Sequence, residues 1–317
     1  MNTRLPLVGT LLVLVWFCLF ASHEVQGQKP PNTDEEGQPD IPALRLRAQQ
    51  GNSEAEYRLG RSYMAGIGVP RDYAQAAKWF RQSAAQGLAD AEFSLGYMYE
   101  HGYGVPRDFR QAVSYYSNAA GQGHPTAENN LASMYEHGKG VKKNVDEAKR
   151  WYRAAAEHSE IVAQCNLASL YFRSREYSEA AVWFRAAAQQ GDATAQEDLA
   201  WMYYTGTGIG LNYGQAAKWV RLAAERGNTR AQLDLGYLYE QGKGVPLDYS
   251  QAYVWYRAAA TGGEKRAIEK LKAIKQVMTQ DQIEKAQAVA DQLLKSLPKV
   301  NDASHASPIA NSFVEPQ

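Results

Sequence analysis

Apolar residues along this chain recur in short bursts with a spacing of four. Ala91, Leu95 and Tyr99 are one such burst, and that spacing puts all three on one face of a helix. The bursts are themselves periodic. Leu59-Gly60, Leu95-Gly96, Leu131-Ala132, Leu167-Ala168, Leu199-Ala200 and Leu235-Gly236 open matching stretches 36 residues apart, except for one step of 32. Trp79, Tyr115, Trp151, Trp183, Trp219 and Trp255 form a second series with the same period and the same exception. Two interleaved series that share one irregularity define an internal repeat, and a period in this range predicts a solenoid.

Each repeat reads as two helices, A and B. In the second repeat Gly102 and Gly104 end helix A, since glycine accepts the left-handed backbone of a helix C-terminus. Val105-Pro106 forces extended chain, and Asp108 caps helix B, with Gln111 three residues on as the other half of a capping box. Asp72/Gln75, Asn144/Glu147, Asn212/Gln215 and Asp248/Gln251 repeat that signal. Ala112, Tyr115, Ala119 and Ala120 give helix B a stripe of small and aromatic residues, and Gly123 stops it. In the 32-residue repeat the Gly-x-Gly loop is missing between Tyr171 and Tyr177, leaving a tight turn while both helices and Trp183 remain.

The units beginning near Ser53, Ala89 and Thr229 carry Ala-x-x-x-Leu-Gly-x-x-Tyr, then Gly-x-Gly-Val-x-x-Asp-Tyr, then Ala-x-x-Trp-Tyr-x-x-Ala-Ala, nearly complete. This pattern resembles the Sel1-like repeat, a variant of the tetratricopeptide repeat. The resemblance covers residues 42–262, with six repeats starting near 53, 89, 125, 161, 193 and 229. It implies an all-α, right-handed superhelical solenoid of antiparallel helix pairs that docks partner proteins. Both ends read as caps, which a solenoid needs to cover its terminal faces. Residues 42–50 match the second half of a helix B. At the other end, Ala267, Leu271 and Ile274 lie on one helix, and Ile283, Ala286, Ala290, Leu293 and Leu297 on another after Thr279, so 263–297 is expected to be a helical cap.

The period also identifies the face left over. Counting from the first alanine of helix A, positions zero, four and eight lie within about 80° of one another, while two, six and nine lie at about 200°, 240° and 180°. In tetratricopeptide-type solenoids that opposite side resembles the concave lining. Those positions hold Tyr57, Arg61, Met64; Phe93, Tyr97, Glu100; Asn129, Ser133, Glu136; Cys165, Ser169, Phe172; Glu197, Trp201, Tyr204; and Leu233, Tyr237, Glu240. Large aromatics fill seven of the eighteen, where a merely wetted face calls for polar residues. Tyr and Trp bury much area for little entropy and are enriched at binding hot spots. The expected partner-binding set is Tyr57, Arg61, Phe93, Tyr97, Glu100, Glu136, Phe172, Trp201, Tyr204, Tyr237 and Glu240, with Trp201 and Tyr204 at its centre. Tyr97 and Tyr237 are equally open to packing between neighbouring repeats, and each charge to simple solvation.

Composition sets the remaining limits. Lys plus Arg and Asp plus Glu both number 34, and no basic block stands out, so nucleic acid is not an expected partner. Arg4 followed by the apolar run Leu5 to Phe20 reads as a signal peptide over 1–27, cleaved after Gly27, with an uncleaved anchor as the competing reading and the only expected membrane contact. Bulky Trp16 and Phe17 before Cys18 argue against lipid attachment there. Residues 28–41 read as a flexible linker and 298–317 as a disordered tail. After cleavage only Cys165 is left, so no internal disulfide can form. The expected product is an exported monomer, periplasmic or secreted. Absent Asn-x-Ser/Thr sites and an absent retention tail favour a bacterial envelope over a eukaryotic secretory adaptor.

Little here points to chemistry. The five Gly-x-Gly loops always precede a helix cap, which reads as structural punctuation rather than phosphate binding. His101 and His137 are one repeat apart beside Glu100 and Glu136, but no HExxH or Cys/His cluster accompanies them, and no metal or cofactor is expected. Cys165 reads as an inert, half-buried thiol. Cysteine-rich Sel1-like proteins associated with β-lactam binding and hydrolysis carry a cysteine pair in each repeat. This chain has none, and no Ser-x-x-Lys, so the resemblance implies a non-catalytic scaffold.

Overall fold

The computed structural model describes residues 39–298 and Phe313. The expected signal peptide, and nearly all of the expected linker and tail, lie outside those residues. Among the described residues there are 15 helices and no strand, and they fall into two compact units divided between Ala148 and Lys149.

In unit 1, α1 (Ile41–Gln49), α2 (Ser53–Ala65), α3 (Tyr73–Ala85), α4 (Ala89–His101), α5 (Phe109–Gly121) and α6 (Pro125–His137) each pack against the next. The division falls within α7 (Val145–Glu157). In unit 2, α8 (Ile161–Arg173), α9 (Tyr177–Gln189), α10 (Ala193–Thr205), α11 (Tyr213–Glu225), α12 (Thr229–Gln241), α13 (Tyr249–Thr261) and α14 (Lys265–Ile274) pack in the same serial way. The last helix, α15 (Gln280–Ser296), returns onto α13.

The Leu-Gly signature sets the spacing within a repeat. Leu59, Leu95 and Leu235 are fully buried, and the glycine after each lies under a ring of its own helix B. A Cβ at Gly60 falls 2.7 Å from the Phe80 ring, and one at Gly96 or Gly236 falls 2.6 Å from Tyr116 or Tyr256. Real Cβ atoms do not come so close, so the absence of a side chain is what lets A and B touch. In four repeats the fully buried ring is the residue after the Trp series, Phe80, Tyr116, Phe184 and Tyr256; of that series Trp79, Trp151 and Trp183 stay half-exposed, while Trp219 and Trp255 are buried.

Caps form where the sequence places them. Asp72, Asp108, Asn144, Asn212 and Asp248 each accept from the backbone N–H three residues on, at 3.0–3.2 Å. The full reciprocal box is made at Thr279, whose hydroxyl accepts from Gln282 N–H while its own N–H donates to the Gln282 side chain. Helix A ends on left-handed Gly66, Gly102, Gly206 and Gly242. The second glycine of each loop has another task. A Cβ on Gly104 would overlap the Tyr73 carbonyl, and one on Gly244 the Tyr213 carbonyl, so each loop rests on the first residue of the preceding repeat's helix B. In the short repeat Arg175, without a glycine, takes a left-handed φ of 63°, as does Ser159 one repeat boundary earlier.

The residue directly after the first alanine of each A helix is buried and polar. Glu56 and Glu92 accept from the amides of Gln86 and Gln122 at 2.7 and 2.6 Å. Gln196 and Gln232 instead donate to the Ala188 and Ala224 carbonyls at the end of the preceding helix. Burial holds both glutamates above the usual carboxylate value. The ends reuse repeat contacts. Arg45 of α1 donates to Tyr63 Oη at 3.2 Å, the bond that Arg185 makes to Tyr203 and Arg221 to Tyr239, so α1 stands where a helix B stands elsewhere. Ala267, Ile274, Ala286 and Ala290 join Tyr253 and Tyr256 in one buried cluster, with Leu271, Ile283 and Leu293 packed against it.

Candidate protein-interaction surface

Three of the expected surface residues are not on a surface. Tyr57, Phe93 and Glu136 are 5%, 7% and 8% exposed. For the two rings the reason is geometric: the residue two positions after the first alanine is covered by its own helix B. Tyr57 lies 5.8 Å from Phe80, and Phe93 lies 5.9 Å from Tyr116, with His124 stacked on Phe93 at 4.7 Å. Burial accordingly pushes the Tyr57 hydroxyl well above its ordinary value. Arg61, half-buried, rests its guanidinium over the Tyr57 ring. The His124 imidazole meets Asp90 at 3.4 Å, and that hydrogen bond holds the Asp90 carboxyl below the usual range.

The glutamates at position nine are also committed. Glu100 accepts from the buried Tyr116 hydroxyl at 2.8 Å. Glu240 accepts from Tyr256 and pairs with Lys270 at 3.2 Å. Both are half-buried acceptors that lock helix A to helix B, neither loose groove polarity nor solvated charge. Burial, and in second place the bonded glutamate, hold the Tyr256 hydroxyl far above its ordinary value.

What stays accessible in unit 1 is a small run of rings. Tyr97 lies 4.1 Å from His101 and 6.0 Å from Tyr103, and Tyr103 stacks on Tyr73 at 5.2 Å. Burial brings the Tyr97 hydroxyl up to about 12. His101 bonds the Tyr97 carbonyl and His137 the Ser133 carbonyl, so each imidazole is turned to its own helix. Among the described residues no three His, Cys, Asp or Glu side chains converge as metal ligands.

Unit 2 holds the larger group. Phe172 meets Trp201 edge-on at 5.8 Å and Tyr177 at 4.9 Å. Tyr204 lies 5.3 Å from Tyr213, and the Lys243 ammonium donates to Tyr204 Oη at 2.8 Å. The same ammonium sits 5.0, 5.4 and 5.8 Å from the centres of the Tyr204, Tyr213 and Tyr237 rings, and Lys270 covers Tyr237 at 5.3 Å. Desolvation, with hydrogen bonding to Tyr204 next, raises the Tyr237 hydroxyl. On the same helix as Trp201 and Tyr204, Glu197 is buried, paired with Arg230 at 3.2 Å and accepting from Asn228 at 2.9 Å. Burial still holds its carboxyl above the usual value. Burial pushes the Cys165 thiol up as well, so the thiolate is disfavoured.

Lys243, Tyr103, Tyr73 and Tyr213 were not among the expected residues, yet one rule places them all. Tyr103 and Lys243 are the middle residue of a Gly-x-Gly loop, and each faces the first residue of the preceding repeat's helix B, Tyr73 or Tyr213. Lys139 over the Phe109 ring repeats the arrangement. The signal was present as a variable residue enclosed by two fixed glycines.

A Sel1 repeat model matches residues 53–88, 89–124, 125–159, 161–192, 193–228 and 229–264. The chain belongs to the Sel1 repeat family. Among solved structures, it is 33% identical to c5321, a protective antigen present in uropathogenic Escherichia coli strains and displaying an SLR fold, with a TM-score of 0.68. That match covers 87% of this chain but only 60% of c5321, so the chain spans well under the full length of that relative. A Sel1 repeat protein from Oxalobacter formigenes is 31% identical with a TM-score of 0.57, over 70% of this chain and 99% of the other. No protein of curated function matches the chain. Sel1 repeat proteins are generally protein-interaction scaffolds and typically non-catalytic. Among the described residues no helix is long and apolar enough to cross a membrane.

Proposed function

We propose that this Sel1 repeat protein is a non-catalytic scaffold of the bacterial cell envelope, which docks a protein partner on the helix-A surface of unit 2. One observation carries the choice of surface: Phe172, Trp201, Tyr204, Tyr213 and Tyr237 assemble there, with Lys243 held against three of the rings. Rings held in place by neighbouring side chains lose little entropy when a partner covers them, which is what a hot spot requires. The ammonium adds a cation that a carboxylate or carbonyl of the partner can meet. The reading of residues 1–27 as a signal peptide supports the envelope assignment, and fractionation of the source cells tests it: the envelope reading fails if the chain remains in the cytosol.

The surface is tested by cross-linked capture from envelope extract with the wild type and with Trp201→Ala/Tyr204→Ala. The double variant is expected to keep its helical circular dichroism and to lose the partner, since a central aromatic is worth about 2 kcal/mol or more. Equal capture by a folded double variant would mean that the surface lies elsewhere.

A further inference from the structure

One residue of the C-terminal segment comes back to the surface just described. Phe313, 5% exposed, lies flat on Tyr204 with ring centres 4.2 Å apart and planes within 10°. Its backbone N–H donates to Asp234 Oδ1 at 2.9 Å. Asp234 is itself 1% exposed and sits on α12, one turn before Tyr237, while Tyr204 lies in the last turn of α10. Two neighbouring repeats thus hold one residue by two different features, its aromatic face and its peptide N–H. Both contacts come in addition to those Tyr204 makes with Lys243 and Tyr213.

We infer that Tyr204 and Asp234 form a receptor subsite for a phenylalanine presented on a peptide backbone, and that Phe313 is its resident occupant, which a partner peptide must displace. The inference rests on the scaffold reading and gives the partner a chemistry. Stacking selects a planar side chain over a branched aliphatic one. A carboxylate that accepts a main-chain N–H recognises the peptide and not the residue that follows, so specificity lies in the ring. Lys243, bonded to the Tyr204 hydroxyl, fixes the plane on which the incoming ring lies. The tethered residue competes with any free peptide through its effective concentration. The surface is therefore self-covered, and binding in trans requires a ligand better than the chain's own.

The test uses the full chain and a fluorescently labelled peptide of residues 309–317 (IANSFVEPQ), titrated by anisotropy. The peptide is expected to bind the Phe313→Ala chain at least about tenfold more tightly than the wild type, where Phe313 is in the way. Within the Phe313→Ala background, Asp234→Asn or Tyr204→Ala should weaken it again by about tenfold, and a peptide carrying Leu in place of Phe should bind less well than the native one. Circular dichroism melts of each variant establish that it is folded. Equal affinity for the wild-type and Phe313→Ala chains, or binding to neither, overturns the inference. In that event capture of a partner that depends on Trp201 and Tyr204 would leave the scaffold reading intact. Loss of both results would remove the surface altogether.

Discussion

Gly96→Ala tests the packing on which every repeat depends. In an isolated helix the change is favourable by about 1 kcal/mol. Here the new Cβ would stand 2.6 Å from Cδ1 and 2.7 Å from Cε1 of Tyr116. The ring cannot swing away, because it is fully buried and its hydroxyl is bonded to Glu100 at 2.8 Å. Forcing a methyl into a filled contact costs about 1–3 kcal/mol. Set against the propensity gain, the net effect is destabilisation of about 1 kcal/mol, read as a lower urea midpoint at unchanged slope. The informative comparison is a double-mutant cycle. In a Tyr116→Leu background the collision disappears and Gly96→Ala should become neutral or stabilising, a coupling of about 1 kcal/mol or more. Stabilisation by Gly96→Ala in the wild-type background would refute the reasoning, since it would mean the ring does not lie over the glycine.

Three further outcomes follow from the same contacts. Gly244→Ala should cost about 2 kcal/mol or more, because it combines a left-handed φ of 71° with overlap of the Tyr213 carbonyl; a melt of that variant above wild type would contradict the loop's seating. Ser159→Gly should raise the melting temperature slightly, by relieving a φ of 63° worth about 1 kcal/mol, and a fall would show that the Ser159 side chain contributes more than the strain. Because burial holds Glu197 above the ordinary carboxylate value, the folded chain binds that proton more tightly than the unfolded one, so its contribution is fully present at acid pH and declines as pH rises through the raised value. Glu197→Gln removes the decline, so its melting temperature should gain on wild type from the carboxylate range toward neutral; a gap that narrows instead would place the carboxyl in a stabilising ion pair with Arg230.

The fold was legible because its determinants are local and repeated six times. Leu95-Gly96, the Asp108 cap and the Gly102 stop each act within one helix or turn, so a period of 36 amplifies them. The candidate surface was legible only in part. Angular position on helix A separates anchors from the opposite face, but it says nothing of what helix B lays over that face, and so Tyr57 and Phe93 were misjudged. Glu100 and Glu240 looked like free charge because their partners, Tyr116 and Tyr256, are sixteen residues away on another helix. Trp201, Tyr204 and Tyr237 stay half-exposed even with Phe172 against the first, Phe313 and Lys243 against the second and Lys270 over the third. Phe313 lies 79 residues from Asp234, a contact that no periodicity encodes.

The central claim, that unit 2 carries a receptor surface for a peptide aromatic, is tested most directly by photo-crosslinking from position 313. The full chain is made with a benzophenone amino acid in place of Phe313, irradiated as dilute monomer, digested, and mapped by mass spectrometry. The account predicts cross-links within the same molecule that concentrate on the end of α10 at Tyr204 and on α12 around Asp234 and Tyr237. Cross-links scattered over the chain, or concentrated on unit 1, would contradict it.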